Sequence, residues 1–259
     1  MVKTKWSNWG FLFFLALSAC QTVEYTGRSQ VNLISPSQEK QLGTEAYGEI
    51  LKKTPISTRS DWQAQLQRVG QRIAAAANKP DYQWEFKVLQ GKEVNAFCLP
   101  GGKVAFWEGI MPVAQDDNGI AVIMGHEVAH ALARHGAERM SQALSTQLLG
   151  QILTVGAGIL KNPEFAEQFA QYYGLGTSVV VTLPWDRAQE SEADHIGLIL
   201  MAKAGYDPSA AVGFWERMSK VQQGGKSPEF LSTHPSDETR INQIKQWLPE
   251  AQKYYTAQK

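Results

Sequence analysis

Hydrophobic residues recur at helical spacing over much of the chain and predict several long helices. Between residues 60 and 78, apolar side chains follow a 3.6-residue period that begins with Trp62 and Leu66. A serine N-cap at Ser35, followed by proline, predicts another helix from there to residue 53. The apolar side of residues 187–204, ended by Gly205, predicts a further one.

Three short stretches show the pattern of strands instead. Apolar and polar residues alternate from Tyr82 to Val88, and Val94–Leu99 and Lys103–Trp107 flank a Pro-Gly-Gly turn. These patterns predict an α+β fold, mostly helical, with a small antiparallel sheet of about three strands. Such a hairpin can leave an open edge on which an extended peptide pairs by main-chain hydrogen bonds, and we place that edge at Asn95, Ala96 and Phe97. The alternative is a purely structural sheet.

The strongest chemical signal is His126-Glu127-Val128-Ala129-His130, an HExxH motif within a predicted helix capped at 116–118. Residues four apart lie on the same helical face, so His126 and His130 can both bind one Zn²⁺. Glu127 is then placed to act as a general base on water at the metal. The neighbouring residues are apolar, and buried histidines need polar partners. The alternative is a helix that carries two histidines by chance.

A catalytic zinc site needs a third protein ligand, and the later half of the chain offers several candidates. The arrangement with a third histidine six residues after the second fails, because Gly136 stands there. The remaining candidates are Glu190, Glu192, His195 and His234. Glu190 and Asp194 are four apart on one predicted helix, so Glu190 can bind zinc while Asp194 accepts the outer N–H of a ligating histidine. Glu192 falls on another face and is predicted to be solvent-exposed.

The N-terminus has the pattern of a targeting segment. Two lysines precede a nine-residue apolar run that is too short to span a bilayer, which predicts a signal peptide over residues 1–19. The run ends in Leu-Ser-Ala-Cys20, which resembles the lipobox of bacterial lipoproteins, so we expect Cys20 to be lipidated. Residues 20–34 then form a tether to a single domain over residues 35–259. The alternative is a signal peptide with a chance cysteine.

Composition narrows the class of protein. A chain of 259 residues, of which 43% are hydrophobic, can bury the core of one domain. Its formal net charge of zero argues against a nucleic-acid partner. An apolar, glycine-interrupted segment at 148–160 predicts a packed helix, with a mobile flap or a partner-facing segment as the alternatives.

HExxH followed, after 59 residues, by Glu190-Ser-Glu-Ala-Asp194 resembles the CAAX prenyl protease family of zinc metallopeptidases. It is most similar to the small branch of periplasmic lipoproteins and mitochondrial inner-membrane quality-control proteases. Further matches include Asn95-Ala-Phe97 and Thr-His234-Pro with Arg240. The resemblance implies a zincin-like core with the sheet beside the HExxH helix, one zinc per chain and Glu190 as the third ligand.

The resemblance also places His234 in the active-site region. There it would stabilise the oxyanion or close the site as a fourth zinc ligand. The implied function is a zinc endopeptidase that hydrolyses misfolded or misassembled envelope proteins. Its expected location is the periplasmic face of a bacterial membrane, the outer membrane more than the inner, with the outer-membrane assembly machinery as a candidate partner. The alternative is a lipid-anchored chaperone or assembly factor with a silenced or structural zinc site.

Overall fold

A computed structural model describes residues 20–148, 184–223, 230–231, 234 and 238–256. The predicted signal peptide and the apolar segment 148–160, except its first residue, lie outside them. The order of elements is β1 (Cys20–Thr22), β2 (Ser29–Val31), α1 (Pro36–Lys53), α2 (Ser60–Ala77), β3 (Glu85–Leu89), β4 (Ala96–Leu99), β5 (Lys103–Trp107), α3 (Met111–Ala114), α4 (Asp117–Leu132), α5 (His135–Leu148), α6 (Pro184–Lys203), α7 (Ala210–Gln223) and α8 (Glu238–Ala251). Short 3₁₀ turns cover Glu108–Ile110 and Gln252–Tyr254. None of the helices in the described ranges is long and apolar enough to span a membrane.

The helix boundaries follow the local signals in the sequence. Ser35 caps α1 by accepting a hydrogen bond from the backbone of Gln38, whose side chain in turn accepts from the backbone of Ser35. Helix α2 ends at Asn78 in the left-handed conformation, with φ of 49°. The predicted mostly helical α+β fold is confirmed.

The central sheet has the strand order β3-β5-β4, and it differs from the predicted antiparallel sheet in one pairing. Strands β4 and β5 form the expected antiparallel hairpin, whereas β3 runs parallel to β5. Strands β3 and β4 point in opposite directions with β5 between them. A central strand that is antiparallel to β4 is therefore necessarily parallel to β3.

Both faces of this sheet are covered. For this reason every residue of β4, and every residue of β5 except the last, is buried. One face, with Cys98, Val104 and Phe106, belongs to the main core together with α2, α4 and α6. The other face, with Phe97 and Leu99, packs against a smaller cluster contributed by α1. The sheet therefore fixes α4 from one side.

Helix α6 fixes α4 from another side through an unusually close crossing. A Cβ atom added at Gly197 would lie 2.9 Å from the backbone of Gly125 and His126. Only glycine at both positions permits this approach. The crossing brings the acidic face of α6 directly onto the HExxH motif.

Residues 20–34, predicted to be a tether, form a small hairpin of β1 and β2 that packs on the domain. Val23 is only 3% exposed and joins the main core, and its burial holds the hairpin in place. The segment is thus part of the folded unit, and the lipidation of Cys20 stays a prediction.

Candidate metal centre

Helix α4 carries the HExxH motif through the middle of the protein. The Asp116 side chain caps it by accepting from Gly119 N at 2.9 Å. Every residue from 119 to 131 is buried, so the helix has no solvated face. The polar side chains of His126, Glu127 and His130 therefore require partners inside the protein.

Four side chains bring possible metal-binding atoms to one point. They are His126, His130, Glu190 and His234, all buried, with one such atom from each lying within 4.8 Å of the others. The Nε2 atoms of His126 and His130 are 3.1 Å apart. The Glu190 carboxylate is 3.3 Å from His126 Nε2 and 3.2 Å from His130 Nε2. His234 Nδ1 lies 3.1 Å from His126 Nε2 and 3.0 Å from both Glu190 oxygens.

These residues fit a zinc ion. Ligands about 2.0–2.1 Å from a tetrahedral zinc are separated from one another by roughly 3.3 Å, close to the spacings found here. Imidazole nitrogens and a carboxylate are also the donor types that zinc prefers. One oxygen of Glu127, Oε1, is buried without a hydrogen bond from the described residues and lies 3.5 Å from His234 Nε2. A carboxylate oxygen in that position beside the donor set is suited to hold a proton in transit.

His126 is oriented from behind by a carboxylate and an arginine. Its Nδ1 is 2.9 Å from Asp194 Oδ1, which places Asp194 where the sequence predicted it. Arg240 donates to both oxygens of Asp194, at 2.7 and 2.8 Å, and its guanidinium lies 3.4 Å above the Trp215 ring. Arg240 also donates to the backbone oxygen of His234 at 3.2 Å and so ties His234 to the same carboxylate.

Burial and neighbouring charges set the protonation of these groups. Burial raises the pKa of Glu127 above its ordinary value. Burial alone would also raise the pKa of Glu190, but the nearby His234 and the hydrogen bond from His126 hold it well below the ordinary value. Burial opposes a charge on His126, yet its bonds to Asp194 and Glu190 raise its pKa to about 9 in the metal-free protein. The centre therefore holds an ionised Glu190, which is the state needed for a ligand.

His130 is oriented through a second histidine. Its Nδ1 is 2.8 Å from Nδ1 of His135, and Nε2 of His135 is 3.0 Å from Glu192 Oε2. Arg28 of the N-terminal hairpin donates to the same oxygen at 2.7 Å. Burial lowers the pKa of both His130 and His135, so both rings are neutral.

Comparison with known proteins agrees with this centre. Residues 60–248 match the model of Peptidase family M48. This chain belongs to that family. Mitochondrial metalloendopeptidase OMA1 of Schizosaccharomyces pombe is 38% identical over 234 residues, which are 89% of this chain and 67% of that protein. OMA1 of Homo sapiens is 29% identical over 97% of this chain and 51% of its own length. The beta-barrel assembly-enhancing protease of Escherichia coli is 25% identical over 86% of this chain and 46% of its own length.

The M48 assignment makes this chain a zinc metalloendopeptidase and supports the metallopeptidase family expected from the sequence. The relatives named above are OMA1 proteases and a beta-barrel assembly-enhancing protease, so the CAAX prenyl protease branch specifically is not supported. The HExxH and ExxAD motifs lead to the metallopeptidase family, but they do not separate its branches. The chain spans only about half the length of the human and Escherichia coli relatives.

The residues predicted for the site fall into two groups, those in the metal centre and those on strand β4. The predicted ligands His126, His130 and Glu190 lie together, with His234 beside them. Asn95, Ala96 and Phe97 are each at most 2% exposed, backbone included, so this edge must be uncovered before a peptide can pair with it. Cys98 on the same strand lines a small cavity together with Glu127, His130 and His234, which brings β4 to the centre.

The prediction that Glu192 is solvent-exposed is wrong, since it is buried with 8% exposure. The hairpin covers it, and its carboxylate accepts from Thr26 and Arg28. Sequence reasoning also gave His135 no role. Its position depends on Arg134, whose backbone is left-handed with φ of 59° and turns the chain back after α4. No spacing rule on a continuous helix would have placed His135 against His130.

Proposed function

We propose that this chain is a zinc-dependent endopeptidase of the bacterial cell envelope that hydrolyses misfolded or misassembled envelope proteins. The single observation that carries the catalytic part is the buried Glu127 carboxylate beside a donor set of two histidines and a glutamate. The envelope part is supported by the lipobox-like sequence at Cys20 and by the likeness to the beta-barrel assembly-enhancing protease of Escherichia coli.

In this proposal His126, His130 and Glu190 hold the zinc. When bound, zinc supplies a Lewis acid that polarises the scissile carbonyl and lowers the pKa of water. Glu127 takes the proton from the attacking water and then delivers it to the leaving amine. Its raised pKa suits a group that must both accept and release a proton near neutral pH.

His234 has two roles open to it, and the geometry supports each. Its Nε2 faces Glu127 at 3.5 Å, where it can donate to the oxyanion of the tetrahedral intermediate. Its Nδ1 lies 3.0 Å from Glu190, where it can instead serve as a fourth ligand that keeps the resting site closed. The second arrangement requires His234 to move before substrate binds.

Substrate would bind in extended form along β4, once this buried edge is uncovered. This strand lies at an edge of the described sheet and packs beside α4. Main-chain pairing along Asn95, Ala96 and Phe97 would hold unfolded segments with little dependence on their side chains, which suits a quality-control protease.

The second candidate is a lipid-anchored chaperone or assembly factor with a silenced zinc. The close approach of His234 to the other three donors favours this reading, because four protein ligands leave no open position. A buried general base has no function in such a site, so Glu127 favours the enzyme.

The test is cleavage of an unfolded outer-membrane β-barrel protein by the purified chain. We expect zinc-dependent cleavage by the wild type and none by Glu127→Gln, with zinc content unchanged in both. Glu45→Gln, at an exposed position of α1, is the matched control and should cleave the substrate normally. Equal cleavage by Glu127→Gln would refute the enzyme reading, and a mature N-terminus other than a modified Cys20 in a mass spectrum would refute the anchor.

A further inference from the structure

A continuous chain of hydrogen bonds joins His130 to the N-terminal hairpin. It runs from His130 Nδ1 to His135 Nδ1 at 2.8 Å and from His135 Nε2 to Glu192 Oε2 at 3.0 Å. Glu192 then accepts from Arg28 Nε at 2.7 Å and from the Thr26 hydroxyl. Arg28 is itself held by two bonds to Glu138, at 2.9 and 2.8 Å.

The direction of these bonds determines which nitrogen of His130 carries its proton. A His130 that binds metal through Nε2 carries its proton on Nδ1 and donates it to His135 Nδ1 at 2.8 Å. A His135 ring that accepts at Nδ1 carries its own proton on Nε2, which faces the Glu192 carboxylate at 3.0 Å. The proton of His130 is thereby held on Nδ1, and the lone pair of its Nε2 faces the other metal-binding atoms.

One neighbour opposes this arrangement. Arg139 Nη2 lies 3.3 Å from His130 Nδ1, and an arginine can only donate. A donor at that point favours the tautomer with the proton on Nε2, which cannot bind metal. The contact with His135 is shorter, and Arg139 makes a better bond to Gln189 at 2.8 Å. The bond between His130 and His135 is therefore the stronger of the two contacts at His130 Nδ1. Glu192 accepts the hydrogen bond from His135 Nε2 and so leaves His135 Nδ1 free to accept from His130.

The two histidines of the motif are thus oriented by similar means from opposite sides. His126 meets the Asp194 carboxylate directly, and Arg240 holds that carboxylate. His130 reaches the Glu192 carboxylate through the His135 imidazole. The arginine that holds this carboxylate is Arg28 of the N-terminal hairpin. His135 is fully buried, and the Glu192 side chain is 6% exposed, so solvent does not compete for these bonds.

We propose that His135, Glu192 and Arg28 are positioning residues for the zinc ligand His130. It follows that the N-terminal hairpin is part of the metal centre's support and is needed for full zinc affinity. This inference rests on zinc binding at His126, His130 and Glu190.

The test measures zinc affinity by chelator competition, the absorption spectrum of the Co²⁺-substituted protein, and the thermal stability of the metal-free protein. Loss of such an outer hydrogen bond typically weakens metal binding by about 10- to 100-fold, and we expect this for Glu192→Gln. Arg28→Gln, at a half-buried position, should weaken binding in the same direction by a smaller factor. The matched control is Lys79→Ala, which breaks a different ion pair of the hairpin, with Glu24 at 3.0 Å. It should leave zinc affinity and the cobalt spectrum unchanged.

Three outcomes would overturn the proposal. The first is wild-type zinc affinity and cobalt spectrum in both Glu192→Gln and Arg28→Gln. The second is a loss of metal-free stability in these variants with unchanged zinc affinity, which would show a merely structural role. The third is an equal loss of affinity in Lys79→Ala. A wild-type protein that binds no zinc would overturn the proposed function as well, so the two failures are distinguishable.

Discussion

The close crossing of α4 and α6 should be sensitive to a single methyl group. In Gly197→Ala the new Cβ would lie 2.9 Å from the backbone of Gly125 and His126, whereas ordinary van der Waals contact begins at 3.4 Å. Backbone cannot rotate away as a flexible side chain can, so the helices must separate by about half an ångström. Glu190 and Asp194 lie on the same stripe of α6 and would move with it away from His126.

Two opposing energies determine how far Gly197→Ala changes the free energy of unfolding. Alanine stabilises a helix interior by about 1 kcal/mol relative to glycine, and overpacking of a rigid contact costs roughly 1–3 kcal/mol. We expect Gly197→Ala to lower the free energy of unfolding by up to about 2 kcal/mol. Because a misplacement of 1 Å can cost about 100-fold in rate, half of that should lower kcat/KM by about tenfold.

The assay is urea unfolding combined with peptide cleavage, and Gly48→Ala is the matched control. Gly48 lies within helix α1, and an added Cβ there meets nothing within 4 Å. That variant should gain about 0.5–1 kcal/mol and keep normal activity. If Gly197→Ala is as stable and as active as Gly48→Ala, the close crossing does not position the acidic residues of the centre.

Further predictions concern the ligands' surroundings. Removing zinc with a chelator should abolish cleavage, and restoring zinc should recover it; cleavage that persists without metal would refute the metal-dependent mechanism. His234→Ala should lower peptide cleavage if this residue stabilises the oxyanion and raise basal cleavage if it closes the site, and unchanged turnover would remove both roles. Arg240→Met removes the arginine that donates to both oxygens of the buried Asp194 carboxylate and should cost about 3–5 kcal/mol in urea unfolding, against no change in stability if the pair contributes nothing. Burial raises the pKa of the Cys98 thiol well above its ordinary value, so an alkylating reagent should label it only after unfolding; rapid labelling of the folded protein would contradict its burial.

The sequence predicted those parts of the centre that depend on spacing along one helix. His126 and His130 are four apart on α4, and Glu190 and Asp194 are four apart on α6, so each pair was predictable from helical geometry. The capping residues Ser35 and Asn78 likewise act within a few positions of themselves, and the ends of α1 and α2 follow them.

The parts that depend on how distant segments meet were not predictable in this way. The burial of Glu192 results from Arg28, 164 residues away in the chain, and the polar character of residues 20–34 predicted a tether. The parallel pairing of β3 follows from the order of strands, which local alternation does not encode. The role of His135 requires a left-handed turn at Arg134, an arginine whose side chain is held by Glu39 at 2.6 Å.

The most direct test of the metal centre is anomalous diffraction at the zinc edge from crystals of the wild-type protein. We predict one zinc per chain, about 2.0–2.2 Å from His126 Nε2, His130 Nε2 and a Glu190 oxygen. His234 will be either the fourth ligand or displaced by solvent, and this decides between its two roles. A zinc peak at any other position, or none at these three residues in protein saturated with zinc, would contradict the account.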